Sequence, residues 1–379
     1  MATAPRTTIA GFPPPPMGKQ ELIESLLKLQ KAAKKITSIL DLGLLVDSIV
    51  NDIACSFGCM EVDIFLRHES RDEMVVATMH CCATHGGGHT LKIGERVIGV
   101  FNAVHPEVDG FVPDQLKVLR ALADHIAIAL ENARLFQRER ELNERLNKEA
   151  EEARGIQQQL LPNTSVLLPE FAVTGATLPA GAVGGDWYDY LELPDGKWGL
   201  VLADVAGKGI AAALLMSATR SVFRAIAETV ASPGEVLARL NRTLLRDFPA
   251  GRFVTMIYGV LDPKQRTFTF ANAGHPWPVI LRGTCTNLVE TESGLPLGIA
   301  ETSFSESTLT LSADGRVLLY SDGISEALDP QQREYGTARL EELMQQPKIS
   351  TQTILDDVRG FSSGQPAFDD ATVVLITAR

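Results

Sequence analysis

Val201-Leu202-Ala203-Asp204-Val205-Ala206-Gly207-Lys208-Gly209 carries an apolar, strand-like run straight into an aspartate and a glycine-rich turn. The apolar part reads as a buried strand, and the glycines let the backbone come close to whatever the carboxylate holds. The same order returns elsewhere in the C-terminal half. Gly184-Gly185-Asp186 leads into Trp187-Tyr188, Leu318-Leu319-Tyr320-Ser321-Asp322-Gly323 repeats strand, carboxylate and glycine, and Asp369-Asp370 stands just before Ala371-Thr372-Val373-Val374-Leu375. One aspartate beside a glycine is ordinarily a turn residue. Asp186, Asp204, Asp322 and Asp369 together, each at the end of a short apolar or aromatic segment, point to a carboxylate cage. Ionised carboxylates that converge repel one another unless cations neutralise them, and an oxygen-only site suits Mg2+ or Mn2+.

The chain has 379 residues, 45% of them hydrophobic, which is enough for two domains with their own cores and a linker. A formal charge of −12 disfavours general nucleic-acid or anionic-membrane binding, so the expected partners are proteins or small molecules. No apolar run reads as long enough to span a membrane, and Met1 to Gln20 lacks the basic-then-apolar order of a secretory signal. The cysteines, Cys55, Cys59, Cys81, Cys82 and Cys285, are odd in number and sparse, which fits a reducing compartment. These features lead us to expect a cytoplasmic protein. His80-Cys81-Cys82-Ala83-Thr84-His85 with His89 can be written as a transition-metal or haem site, but the spacing matches no standard zinc pattern, and solvated loop histidines are the plainer reading.

Phe12-Pro13-Pro14-Pro15-Pro16 cannot pack as helix or sheet, so residues 1–18 read as a tail. Apolar spacing then predicts two helices between Lys19 and Ile53, strands at Val62–Leu66, Met74–Thr78 and Val97–Phe101, and a helix over Asp114–Arg134. Leu122-Ala123-Asp124-His125-Ile126-Ala127-Ile128-Ala129-Leu130-Glu131-Asn132-Ala133-Arg134-Leu135 and Ile98-Gly99-Val100-Phe101-Asn102 resemble the closing helix of GAF sensor domains and the strand before it. The resemblance makes residues 19–134 a GAF-like sensor or dimerisation domain. Leu91-Lys92-Ile93-Gly94-Glu95 nearly abuts that strand, so the segment that walls the ligand pocket in GAF domains is shortened, which implies dimerisation or signal relay more than ligand binding. In the linker, 135–162, Leu135, Leu142 and Ile156 share one heptad position and Leu146, Ala153 and Leu160 a second. This pattern is read as a short coiled coil forming a homodimer, with a single solvated helix as the other reading, favoured by Glu139 and Glu149 at heptad positions.

From Phe171 onward, strand-like segments cluster around a helix pair, Ala211–Glu228 and Glu235–Phe248, and the pattern argues for a layered α+β domain. Gly184-Gly185-Asp186-Trp187-Tyr188-Asp189, Ala203-Asp204-Val205-Ala206-Gly207-Lys208-Gly209, Phe253-Val254-Thr255-Met256, Ala271-Asn272-Ala273-Gly274-His275-Pro276, Leu319-Tyr320-Ser321-Asp322-Gly323 and Phe368-Asp369-Asp370-Ala371-Thr372-Val373 resemble, in order, the signatures of the SpoIIE/RsbU-type branch of the PPM metal-dependent protein phosphatases. The resemblance includes Ile156-Gln157-Gln158-Gln159-Leu160-Leu161-Pro162. For residues 163–379 it implies an αββα sandwich with two Mn2+ or Mg2+ ions at one end. It further implies Asp186 and Asp204 at the bridging positions, acting in catalysis through metal-activated water, the Val205 carbonyl as a further ligand, and Asp322 and Asp369 completing the second ion, with Asp370 not a ligand. The implied substrate is phosphoserine or phosphothreonine on a regulatory protein, an anti-sigma-factor antagonist in bacterial partner switching.

This chain has Ala206 where other members of the superfamily carry a histidine after the aspartate–glycine pair, and it lacks their phosphate-gripping arginine. His275 reads as a packing residue and Lys208 as solvent-facing. Two rival functions remain. Gly207-Lys208-Gly209-Ile210-Ala211-Ala212 approximates a dinucleotide fingerprint, but the parallel strand that should follow is replaced by helix. The second rival is a non-catalytic scaffold that sequesters a partner.

Overall fold

The computed structural model describes residues 41–379 apart from 58, 60, 68–73, 80–85, 108–110, 112 and 366. The proline-rich tail, the first of the two expected N-terminal helices and the His80–His85 cluster lie outside the described residues. The chain divides into two compact units, one ending at Leu146 and the other running Asn147–Arg379.

In the first unit, helix α1 (Leu42–Phe57) starts where the Asp41 side chain accepts the Leu44 N–H at 2.9 Å. Its Leu45, Ile49 and Ile53 face is buried. Strands β1 (Glu61–Arg67), β2 (Met74–Met79), β3 (Gly86–Ile93) and β4 (Arg96–Val104) form one antiparallel sheet in the order β2-β1-β4-β3. β3 is absent from the sequence reading because Gly86-Gly87-Gly88 carries no alternating pattern; pairing with β4 makes it a strand. The sheet packs with α1 and the start of α2 (Pro113–Leu160), through Leu119, Leu122, Ile126 and Leu130. The expected helix and linker are thus one helix. No proline interrupts it after Pro113, and exposed pairs such as Arg140–Glu144 at 2.9 Å sit at helical spacing.

The second unit begins with β5 (Val166–Leu167), β6 (Phe171–Leu178), β7 (Trp187–Glu192) and β8 (Trp198–Val205). Helices α3 (Gly209–Ala227) and α4 (Pro233–Asp247) follow, then β9 (Val254–Asp262), β10 (Thr267–Ala273), β11 (Val279–Arg282), β12 (Cys285–Leu288), β13 (Glu306–Thr310) and β14 (Arg316–Tyr320). The short α5 (Asp322–Ser325), α6 (Thr337–Met344), α7 (Thr351–Phe361) and β15 (Ala371–Ala378) complete it. The strands form two sheets, β13-β10-β9-β8-β7 and β12-β11-β14-β15-β6-β5, antiparallel throughout.

Alternation along the strands sorts the side chains into layers. Tyr188, Leu202, Ile257 and Phe268 of the first sheet meet Val173, Val317, Leu319 and Val374 of the second in the central core. The opposite residues of the first sheet, Trp187, Val201, Ala203 and Met256, pack under Met216 and Phe223 of α3 and Leu237 and Leu240 of α4. Leu318, Tyr320, Val373 and Leu375 of the second sheet pack under Leu340 of α6 and Ile354 and Val358 of α7. The result is the four-layer αββα order expected from the sequence.

One expectation is corrected, and one rival reading is set aside. Among the described residues, α3 is one helix long and apolar enough to cross a membrane by length and composition, contrary to the sequence reading. It is also a core helix, burying Ala212, Met216, Phe223 and Ala227. The dinucleotide reading fails, because β8 leads through α3 into α4 and the sheet around it is antiparallel.

Candidate metal centre

β7 and β8 pair with Trp187 opposite Ala203, which sets Asp186 and Asp204 as the next cross-strand pair. β14 and β15 pair with Tyr320 opposite Val373, so Asp322 leaves one strand beside the point where Asp369 and Asp370 enter the other. Each sheet therefore supplies carboxylates at one end of the sandwich. Like charges facing each other across strands destabilise a sheet.

The ionisation of these groups records that proximity. Burial, then the charge of Asp204, holds the Asp186 carboxyl well above the usual carboxylate range, and the nearby hydroxyls of Thr372 and Ser321 offset only part of it. Asp204 is pushed up to about 7, first by burial and then by Asp322, with Asp369 and Asp370 adding to it. Burial and Asp369 raise Asp322 as well. All four expected aspartates thus act on a common cluster.

Among the described residues, no three His, Cys, Asp or Glu side chains close on one point as a finished ligand set. The donor chemistry nonetheless fits a hard cation. Asp186 Oδ2 is buried with no hydrogen-bond partner, a cost of about 1–3 kcal/mol for a neutral group and more for a charged one. A Cβ on Gly185 would lie 2.7 Å from the Val205 carbonyl oxygen and 3.1 Å from Asp204 Oδ1, so glycine leaves open a cradle lined with oxygen. Carboxylates swing about their side-chain torsions more readily than strands move, so the frame and the orphaned oxygen weigh more than the present carboxylate rotamers.

The contacts by which several residues hold this frame were not readable in the sequence. Asp370 is buried, and its carboxylate accepts the N–H groups of Ala180 at 2.8 Å, Gly185 at 2.8 Å and Asp186 at 3.4 Å. Its place beside Asp369 was visible; its role as an anchor was not, because the donors lie far away in sequence. Gln157, in the last turn of α2, donates to the Gly184 carbonyl at 2.7 Å and accepts the Gly184 N–H at 3.0 Å. Arg252 Nη1 donates to the Ala206 carbonyl at 2.7 Å and covers Gly207, whose φ of +112° and lack of a Cβ permit that approach. Lys208 is half exposed yet engaged: it pairs with Asp369 Oδ2 at 3.1 Å, donates to the Phe368 carbonyl and lies 3.9 Å from the centre of the Phe368 ring. His275 lies buried in its turn, its N–H donating to Asn272 Oδ1 at 2.8 Å and its Nδ1 lying 3.0 Å from Thr255 Oγ1. Burial pushes its pKa down to about 3.

The helix-flanked pair of antiparallel sheets has the fold of PP2C-type domains, and acidic side chains gather at one end of it. The family model described as Stage II sporulation protein E (SpoIIE) matches residues 194–379 of this chain. The phosphoserine phosphatase RsbU of Bacillus subtilis (strain 168) is 29% identical over 238 residues, covering 61% of this chain and 70% of the relative. The crystal structure of the RsbU and RsbW domains of Rv1364c from Mycobacterium tuberculosis matches with a TM-score of 0.50 at 27% identity, over 57% of this chain and 62% of that one. The SiaA-PP2C domain of Pseudomonas aeruginosa, with a TM-score of 0.55 and 18% identity, covers 62% of this chain and 98% of its own, and supports the fold alone.

Proposed function

We propose that this chain is a metal-dependent phosphatase for phosphoserine or phosphothreonine on a regulatory protein of a bacterial partner-switching system, its substrate an anti-sigma-factor antagonist. The observation that carries the reading is the buried, unpartnered Asp186 Oδ2 among carboxylates whose ionisation is suppressed by burial and then by one another. Asp186, Asp204, Asp322, Asp369 and the Val205 carbonyl would hold Mn2+ or Mg2+. The chemistry supplied there by two such ions would be neutralisation of phosphate charge and acidification of water. The protein's part is positional: Asp370 and Gln157 fix the Gly184–Asp186 turn, and Arg252 fixes the Ala206–Gly207 turn. The family and the phosphoserine phosphatase RsbU among its relatives support the reading.

In this proposal the N-terminal unit is a GAF-like input module, and α2 pairs with its copy in a homodimer. Leu135, Leu142, Leu146 and Ile156 are each more than half exposed on α2, which supports pairing. Input would reach the site through the last turn of α2, where Gln157 holds Gly184, two residues before Asp186. A scaffold that only sequesters a partner has no use for acidic side chains kept together at this cost.

The test is phosphate release from a chromogenic ester with Mn2+ or with EDTA, in wild type and Asp204→Asn. Wild type is expected to be active only with metal, and the variant to lose at least a hundredfold. Equal activity in the two proteins would remove the aspartate cluster from the chemistry.

A further inference from the structure

β7 forms the outer edge of the five-stranded sheet, and a cavity of about 440 Å³ runs along it. Its walls include Leu160 and Pro162 at the end of α2, Trp198 of β8, Asp189 of β7, and Arg220 and Arg224 of α3. None of the aspartates of the candidate metal centre lines it. Arg220 and Arg224 stand four residues apart on one helix and so present their guanidiniums side by side.

The charges there do not balance. Asp189 is buried; its Oδ1 accepts the Tyr190 N–H at 2.9 Å, and its Oδ2 takes both Arg220 Nη2 at 2.8 Å and Arg224 Nη1 at 2.7 Å. Among the described residues neither guanidinium has another acceptor, and Arg220 Nε is buried without a partner. One carboxylate against two guanidiniums leaves one positive charge, in a chain whose formal charge is −12. Burial pulls the Arg220 pKa below its ordinary value; Asp189 opposes the shift and the charge of Arg224 adds to it. Because a guanidinium stays protonated in proteins, that cost persists as uncompensated charge.

We propose that this cavity is a binding site for a small tetrahedral oxyanion, inorganic phosphate being the ligand its donors match. Forked guanidinium donors suit phosphate oxygens, and two forks on successive turns of α3 offer more donors than a planar carboxylate can use. A phosphate held there would neutralise the excess charge and bridge α3 to the end of α2.

The experiment uses the full chain in EDTA, where unscreened carboxylates at the metal centre repel phosphate. Inorganic phosphate is titrated calorimetrically, with sulfate and acetate as comparators, into wild type and Arg224→Gln. Arg224 is more than a third exposed, so its loss leaves the fold intact, which thermal unfolding verifies. Wild type is expected to bind phosphate saturably, with sulfate competing and acetate not. Arg224→Gln is expected to bind at least tenfold more weakly, and phosphate should slow amide exchange across 159–167 only in wild type. No saturable binding in EDTA, undiminished binding in Arg224→Gln, or acetate binding as well as phosphate would each overturn the assignment.

Discussion

Replacing Asp370 by asparagine keeps the side chain's size and removes one of its acceptors. The carboxylate now serves three N–H groups, with Oδ1 on Ala180 and Oδ2 on Gly185 and Asp186. An amide can keep its oxygen on the Gly185 and Asp186 side only by turning its NH2 toward the Ala180 N–H, donor against donor. A hydrogen bond to a charged acceptor contributes about 1.5–3 kcal/mol, and an orphaned buried donor costs about 1–3 kcal/mol. Removing one negative charge relieves the repulsion that Asp370 exerts on Asp186 and Asp204, which offsets part of the loss. The expected net cost is about 2–3 kcal/mol, short of the about 5–15 kcal/mol that holds a typical domain folded. Urea unfolding followed by tryptophan fluorescence reads it, since Trp187, Trp198 and Trp277 all lie in the second unit. A freer Gly184–Asp186 turn should also weaken Mn2+ binding about tenfold, a loss of about 1.4 kcal/mol. The exposed Asp247→Asn serves as a control that changes charge alone. If Asp370→Asn shares the urea midpoint and Mn2+ affinity of that control, the anchoring argument is wrong.

Gln157→Ala removes both bonds to Gly184, about 1–2 kcal/mol of local stability; amide exchange at Gly184–Asp186 should quicken and metal-dependent activity fall, and unchanged exchange there would separate α2 from the site. His275 is neutral in the fold, with a pKa of about 3 against an ordinary 6.5. The stability it permits is full above pH 6.5 and falls as pH drops toward 3, at up to about 1.4 kcal/mol per pH unit. His275→Gln should therefore flatten the decline of the unfolding free energy between pH 6 and pH 4; identical slopes in the two proteins would contradict the burial of a neutral imidazole.

The strands that bracket the aspartates were legible because β8, β14 and β15 are apolar runs with a carboxylate at one end, a pattern that survives any tertiary setting. The antiparallel pairing that sets Asp186 across from Asp204 was not, since register arises from contacts between distant segments. β3 escaped notice because its glycines carry no face, and α6 escaped for lack of a marked start. α7 has clearer signs, a Ser350 cap accepting the Thr353 N–H at 3.1 Å and buried Ile354, Leu355 and Val358, and could have been read. The helix runs unbroken through the boundary drawn at residue 135, because the loss of a buried face after Ala133 changes the helix's surroundings without ending the helix. Around the candidate centre, the aspartates themselves were readable as residue types at strand ends. Their supports were not: Asp370, Gln157 and Arg252 act on backbone groups whose positions only the folded chain defines. Lys208 is exposed, as its sequence suggested, but its contacts with Phe368 and Asp369 went unread because those residues are remote in sequence.

Counting bound Mn2+ by equilibrium dialysis against the full chain, with phosphatase activity followed in the same samples, tests the central claim most directly. Wild type should take up about two ions per chain, as expected for a two-metal phosphoryl-transfer site, while Asp204→Asn should lose both tight binding and turnover. Turnover that persists with no bound divalent ion, or Mn2+ binding indifferent to the loss of Asp204, would contradict it.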